Sequence, residues 1–152
     1  MPKTAVHMLF TLVSVATLMK LIGATPLQIL TMTILATSVD LVMDLGHHGG
    51  GRSRITHSVL TAPLSSALIY IFAKTGEPIL EASYMPSDVV ALTALIYASI
   101  LHLAWDSLTY QGIHIPFKGW VSLGNLSSRG ATANLIPMIP TLILLFAFWV
   151  RF

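Results

Sequence analysis

Five apolar runs dominate the chain: about Ala5–Ile22, Leu27–Leu45, Thr56–Ala73, Val89–Tyr110 and Leu135–Trp149. Each is close to the ~20 residues that a helix needs to cross the hydrocarbon core of a bilayer. Charged residues make up 9% of the sequence, against about 25% in soluble domains. So few charges cannot cover a water-facing surface, and the bilayer is the expected solvent. The predicted fold is therefore all-α, a polytopic transmembrane helical bundle of about five spans, forming a single integral-membrane domain over all 152 residues.

The connections fit this reading. Gly23 to Pro26 reads as a tight turn, with Pro26 pre-set to start a helix. Lys74 to Asp88 is a polar connection in which Ser87 or Asp88 could cap the fourth span. The long stretch Gln111 to Asn134 mixes glycine, aromatic and basic residues, and Pro137 and Pro140 predict a kink in the fifth span. After a lone Lys3, the first apolar run lacks a small-residue cleavage site, so it reads as a retained span. With no cysteine, disulfides and thiolate metal ligands are excluded.

Net charge is only +2, too small an excess to point to nucleic acid. In a membrane protein it serves mainly to orient the spans. Lys3, Arg52, Arg54, Lys118 and Arg129 fall on one side, and Lys20, Lys74 and Arg151 on the other with Glu77, Glu81 and Asp88. That bias predicts a cytoplasmic N-terminus in the cell membrane. The oligomeric state is open, an oligomer included.

Within the five-span layout, the ionisable residues are unevenly placed. All six histidines map to one leaflet, as do three aspartates, Asp40, Asp44 and Asp106. The segment Leu45 to Ser58, LGHHGGGRSRITHS, is the densest part of this group. Asp40, Asp44 and His47 are spaced i, i+4, i+7, within roughly 60° on one helical face. His102 and Asp106 stand at i, i+4, which places an imidazole and a carboxylate one turn apart. With His57 between two such helices, the set could surround a cation. Imidazole and carboxylate without thiolate suit Zn, with Mn or Fe as alternatives where carboxylates dominate.

Taken singly, most of these residues have an ordinary explanation. An isolated histidine such as His7, His48 or His114 at a helix end is usually an interface residue, and Asp44 or Asp106 would be satisfied by pairing with Arg52 or Arg54. Gly49 to Gly51 on its own is a turn. Arg52 and Arg54 fit either an anionic group such as phosphate or lipid headgroups. Convergence of Asp40, Asp44, His57, His102 and Asp106 is what argues for a site, because ionisable groups inside spans are costly and usually functional.

The segments RSRITHS and HLAWDSLTYQGIHIP resemble two signatures of the membrane-bound metal-dependent hydrolase family of bacteria and archaea, in its archaeal form. The second signature is matched by His102, Asp106, Leu108, Thr109, Gly112 and Pro116, and the first by Thr56, His57 and Ser58. Asp44, Gly46 and His47 look like the family's D-x-G-H element, and His7 like its early histidine. Arg52 stands where the family pattern carries a histidine, which leaves that place to His47 or His48. The acidic motif is DLVMD rather than a tight pair. The resemblance spans about Asp40 to Pro116 and implies metal chemistry.

The leading expectation is a metal-dependent hydrolase acting on a phosphoester of a lipid or of a lipid-linked or phosphorylated small substrate, at the cytoplasmic membrane face. Its metal ligands would be Asp44, His47, His57, His102 and Asp106. Asp40 or Asp44 would accept a proton from water, and Arg52 or Arg54 would neutralise charge on phosphate oxygens. A serine nucleophile, Ser58 or Ser107, ranks lower, because Ser58 directly follows His57 and adjacent helical residues diverge by about 100°. The rival reading is a non-enzymatic membrane protein, either an ion or proton transporter or a metal-stabilised assembly component.

Overall fold

A computed structural model describes residues 4–45, 53–80, 84–127 and 131–150. Among them run five helices, α1 (Thr4–Leu21), α2 (Pro26–Leu45), α3 (Ala62–Leu80), α4 (Asp88–Ser107) and α5 (Ala131–Phe148). A two-stranded antiparallel hairpin, β1 (Ile113–Ile115) and β2 (Gly119–Val121), lies between α4 and α5. Three helices, α1, α2 and α4, are long and apolar enough to cross a membrane.

The α1–α2 turn follows from its sequence. Gly23 takes the left-handed conformation, φ 77°, and Ala24 N–H closes back on the Met19 carbonyl at 3.0 Å, a common glycine helix stop. Thr25 and Gln28 then form a reciprocal cap. The Gln28 amide donates to Thr25 Oγ1 at 3.3 Å and the Thr25 amide to Gln28 Oε1 at 3.1 Å, so two otherwise orphaned donors at the start of α2 are satisfied. At the start of α4, Ser87 occupies the cap position but its hydroxyl makes no capping bond. Asp88 instead pairs with Lys74 across the α3–α4 connection at 3.2 Å.

α1 packs on α2, α4 and α5, and α4 also on α2 and α3. The interior is built from Met19, Met32 and Met43 with Ala36, Val39, Ala91, Ala94, Leu95 and Ala98, all essentially inaccessible. Alanines let α4 approach its neighbours closely, and the flexible methionines fill what remains. The outer surface is just as apolar: Leu30, Ile34, Leu68, Phe72, Ile143 and Phe146 are each more than half exposed. A soluble monomer rarely exposes that much apolar surface. α5 continues through Pro137 and Pro140, with the Thr141 hydroxyl donating to the Pro137 carbonyl at 2.8 Å.

Three expected bounds change: α5 begins at Ala131, inside the stretch read as a connection to Asn134, and the third and fourth helices also shift. The third helix begins at Ala62 rather than Thr56 and runs on to Leu80, through residues that the sequence assigns to the polar connection. The fourth ends at Ser107, short of Tyr110. The last two shifts have one cause, the chain after α4. There Gly112 turns left-handed, φ 65°, and a Cβ on it would collide with the Val121 carbonyl. The hairpin that follows reaches back to the segment before α3. His114 N–H donates to the His57 carbonyl at 2.8 Å, and Val59 N–H to the His114 carbonyl at 3.2 Å. These bonds pin residues 57–59 to the hairpin within a run of turns, and helix formation waits until Ala62.

Candidate metal centre

The ends of α1, α2 and α4 and the turn segment before α3 meet at one end of the bundle, and each contributes ionisable side chains there. α1 supplies His7 from its first turn, α2 supplies Asp40 and Asp44, the segment before α3 supplies His57, and α4 supplies His102 and Asp106. Asp40, His7, His57, His102 and Asp106 are at most 1% exposed. The Asp44 side chain, at 8%, is the least buried of the group.

His102 occupies the middle. Its Nδ1 lies 2.9 Å from Asp40 Oδ1, and its Nε2 lies 3.6 Å from Asp44 Oδ1 and 3.5 Å from Asp106 Oδ2. The i, i+4 aspartates of α2 thus address the two nitrogens of a single imidazole on α4. Asp106 Oδ2 also lies 3.2 Å from His57 Nε2, and Asp106 Oδ1 lies 3.6 Å from His7 Nε2. The His7 ring stacks on His102 with centroids 4.4 Å apart, and the His57 ring meets His102 edge-on at 5.6 Å. Thr56 Oγ1 sits 2.8 Å from His57 Nδ1, so the other nitrogen of that ring faces the cluster.

This geometry fits a cation. Ligands around a four-coordinate zinc with bonds of about 2.0–2.1 Å stand about 3.3 Å from one another. The Nε2–Oδ separations here run from 3.2 to 3.6 Å. Donor atoms of His7, His102 and Asp106 all lie within 4.8 Å of one another, and so do those of Asp44, His57 and His102. Three buried carboxylates among imidazoles carry negative charge that a divalent ion would offset. Asp40 belongs behind this set. Its carboxylate on Nδ1 fixes the tautomer that presents His102 Nε2 to the centre, the usual carboxylate–histidine arrangement behind a bound metal.

Of the residues singled out in the sequence, Asp40, Asp44, His57, His102 and Asp106 are brought together. His47 and Arg52 lie outside the described residues, as do His48 and Gly49 to Gly51. Arg54 is described and exposed, on the turn that leads into His57. His114 is not part of the cluster; its ring packs on Trp120 at 5.6 Å, the pair directly across the hairpin. His7, which only the family resemblance pointed to, joins them. Read singly it resembles an interface residue, and its membership could have been inferred from the leaflet it shares with the other histidines.

The HLAWDSLTYQG stretch divides into two kinds of residue. His102 and Asp106 face the centre, whereas Thr109 and Gly112 shape the backbone beyond it. The Thr109 hydroxyl donates to the Asp106 carbonyl at 2.8 Å and closes the end of α4. Comparison of the chain with protein-family models, curated proteins and solved structures finds no match.

Proposed function

We propose that the chain is an integral-membrane, metal-dependent hydrolase of about five spans that cleaves a phosphoester of a lipid or lipid-linked substrate. One observation carries this reading. Five potential ligands, His7, Asp44, His57, His102 and Asp106, converge from four parts of the chain on one buried spot at one end of an apolar bundle. Such groups are costly to bury and are kept in membrane proteins mainly for function. A divalent metal, with zinc favoured by the imidazole-rich set, would supply a bound water acidified toward pKa ~7 and would polarise the phosphoryl oxygen.

The side chains divide the remaining work. His7, His57, His102 and Asp106 hold the ion, and Asp40 orients His102 through Nδ1. Asp44, the most accessible carboxylate, either completes the ligand set or accepts the proton of the attacking water. Arg54, at the surface beside His57, is suited to a phosphate oxygen, and Arg52 is the second candidate for that role. Arg54 and Lys118, basic residues on the connections at this end, support a cytoplasmic placement of it.

The near-complete burial of four ligands favours a second reading, a structural metal with every position filled by protein. Both readings face the same first experiment. Metal in detergent-purified wild type is measured by elemental mass spectrometry beside a His102→Ala, Asp106→Ala double variant, and turnover of lipid phosphoesters is assayed on both. Stoichiometric metal and metal-dependent turnover in the wild type alone are expected. Stoichiometric metal without turnover on any phosphoester would leave the structural reading, and a wild type that takes up no metal would overturn both.

A further inference from the structure

Beside the centre, on the next face of α4, lies an apolar groove of about 350 Å³, within the ~300–1,000 Å³ of small-ligand sites. Ser99, Ile100, Leu103 and Ser107 form its floor on α4, with Val59 and Leu123 at its rim. Ser99 and Ser107 contribute little polarity. The Ser99 hydroxyl donates to the Ile96 carbonyl at 2.8 Å and the Ser107 hydroxyl to the Ala104 carbonyl at 2.7 Å, so their small side chains hollow the surface and leave it greasy.

We infer that this groove holds one acyl chain of a lipid whose phosphate faces the His/Asp centre. The inference rests on the proposed function for the nature of the head group. Its first support is continuity: Ser107 follows Asp106, Leu103 follows His102, and Val59 lies two residues past His57, so the groove's upper end is built from neighbours of three proposed ligands. Its second support is depth. From Ser107 to Ser99 the groove descends about 12 Å along α4, from the ligand level toward the middle of the helix. That is the direction in which the tails of the same leaflet run from their phosphates. Its third support is lateral access: Leu123 is 75% and Ile100 54% exposed, so a chain can enter from the side. The Leu123 amide donates to the Ser107 carbonyl at 2.7 Å, which fixes the rim against α4.

The test uses the full chain in nanodiscs and a phosphatidate with a photoreactive diazirine in one acyl chain. Saturable labelling of the peptide holding residues 99–107, competed by long-chain phosphatidate but not by glycerol phosphate, is expected. Ala104→Phe, which fills the groove from a lining position, should cut that labelling at least fivefold with metal content unchanged. Leu68→Phe, the same kind of change on the exposed face of α3, should not. In turnover, Ala104→Phe should lower the ratio of kcat/KM for long-chain over dihexanoyl phosphatidate at least tenfold. Groove labelling by a metal-loaded protein that cleaves no phosphoester would support the groove and sink the hydrolase reading. Cleavage with an unchanged chain-length ratio in Ala104→Phe, and labelling spread evenly over the exposed faces, would sink the groove and leave the hydrolase standing.

Discussion

The two ends of the bundle handle charge in opposite ways. At the end away from the His/Asp centre, Lys20, Lys74 and Asp88 lie toward the surface and meet simple partners. Lys20 donates to the Phe148 carbonyl at 2.7 Å and lies 4.4 Å over the Trp149 ring, Trp149 Nε1–H reaches Thr17 at 3.2 Å, and Lys74 pairs with Asp88. These contacts tie α5 to α1 and close the α3–α4 connection, as interfacial anchors do. At the other end, three carboxylates are drawn inside and packed against imidazoles. An apolar cavity of about 510 Å³, larger than the groove beside the centre, lies at the anchoring end beside Lys20 and Trp149. Cavity size therefore does not distinguish the ends; the concentration of ligand-type side chains does.

If that contrast is functional, substitutions at the two ends should differ sharply. The largest effect is expected from Asp106→Ala, whose carboxylate faces three histidines. Metal affinity measured by competition with a chelating dye should fall at least ~100-fold, because several ligand contacts are lost together. Retained wild-type affinity would remove Asp106 from the centre. Asp40→Asn should cost about 10–100-fold in the same titration, with the thermal transition of the metal-free protein little changed. A pure stability loss with normal affinity would make Asp40 a packing residue. Gly112→Ala should destabilise the protein by about 1–3 kcal/mol in thermal or denaturant unfolding, through its left-handed backbone and its close approach to β2. The smallest effect belongs to the anchoring end: Lys20→Met removes one exposed cation–π contact and one exposed hydrogen bond and should change stability by about 1 kcal/mol or less, with metal affinity untouched. A metal effect from Lys20 would erase the division between the ends.

Much of this arrangement was legible in the sequence. The bounds of α1 and α2 follow from apolar run length and a glycine–proline turn, and the convergence of Asp40, Asp44, His57, His102 and Asp106 follows from spacing and shared depth. What escaped is long-range. Residues 56–61 fall within the run that leads into α3, but bonds to His114, far along the chain, tie them into turns before Ala62. The hairpin itself carried no alternating pattern long enough to read, since each strand has three residues. Spacing placed Asp40 and Asp44 on one face but could not show that one would lie on Nδ1 of His102 and the other near Nε2. His7 sits alone in its helix with no companion at i+4, so nothing local set it apart.

The grip of α2 on both nitrogens of His102 has a consequence for assembly. Between helices that are apolar all round, close packing discriminates weakly among alternative alignments, since many sliding positions bury similar surfaces. Moving α2 by one residue along α4 would shift it about 1.5 Å and turn its side chains by about 100°, taking both aspartates off the ring at once. The imidazole and its two carboxylates therefore favour one alignment of the two helices, so the group that would ready the candidate centre for an ion also helps to select the bundle in which that centre exists.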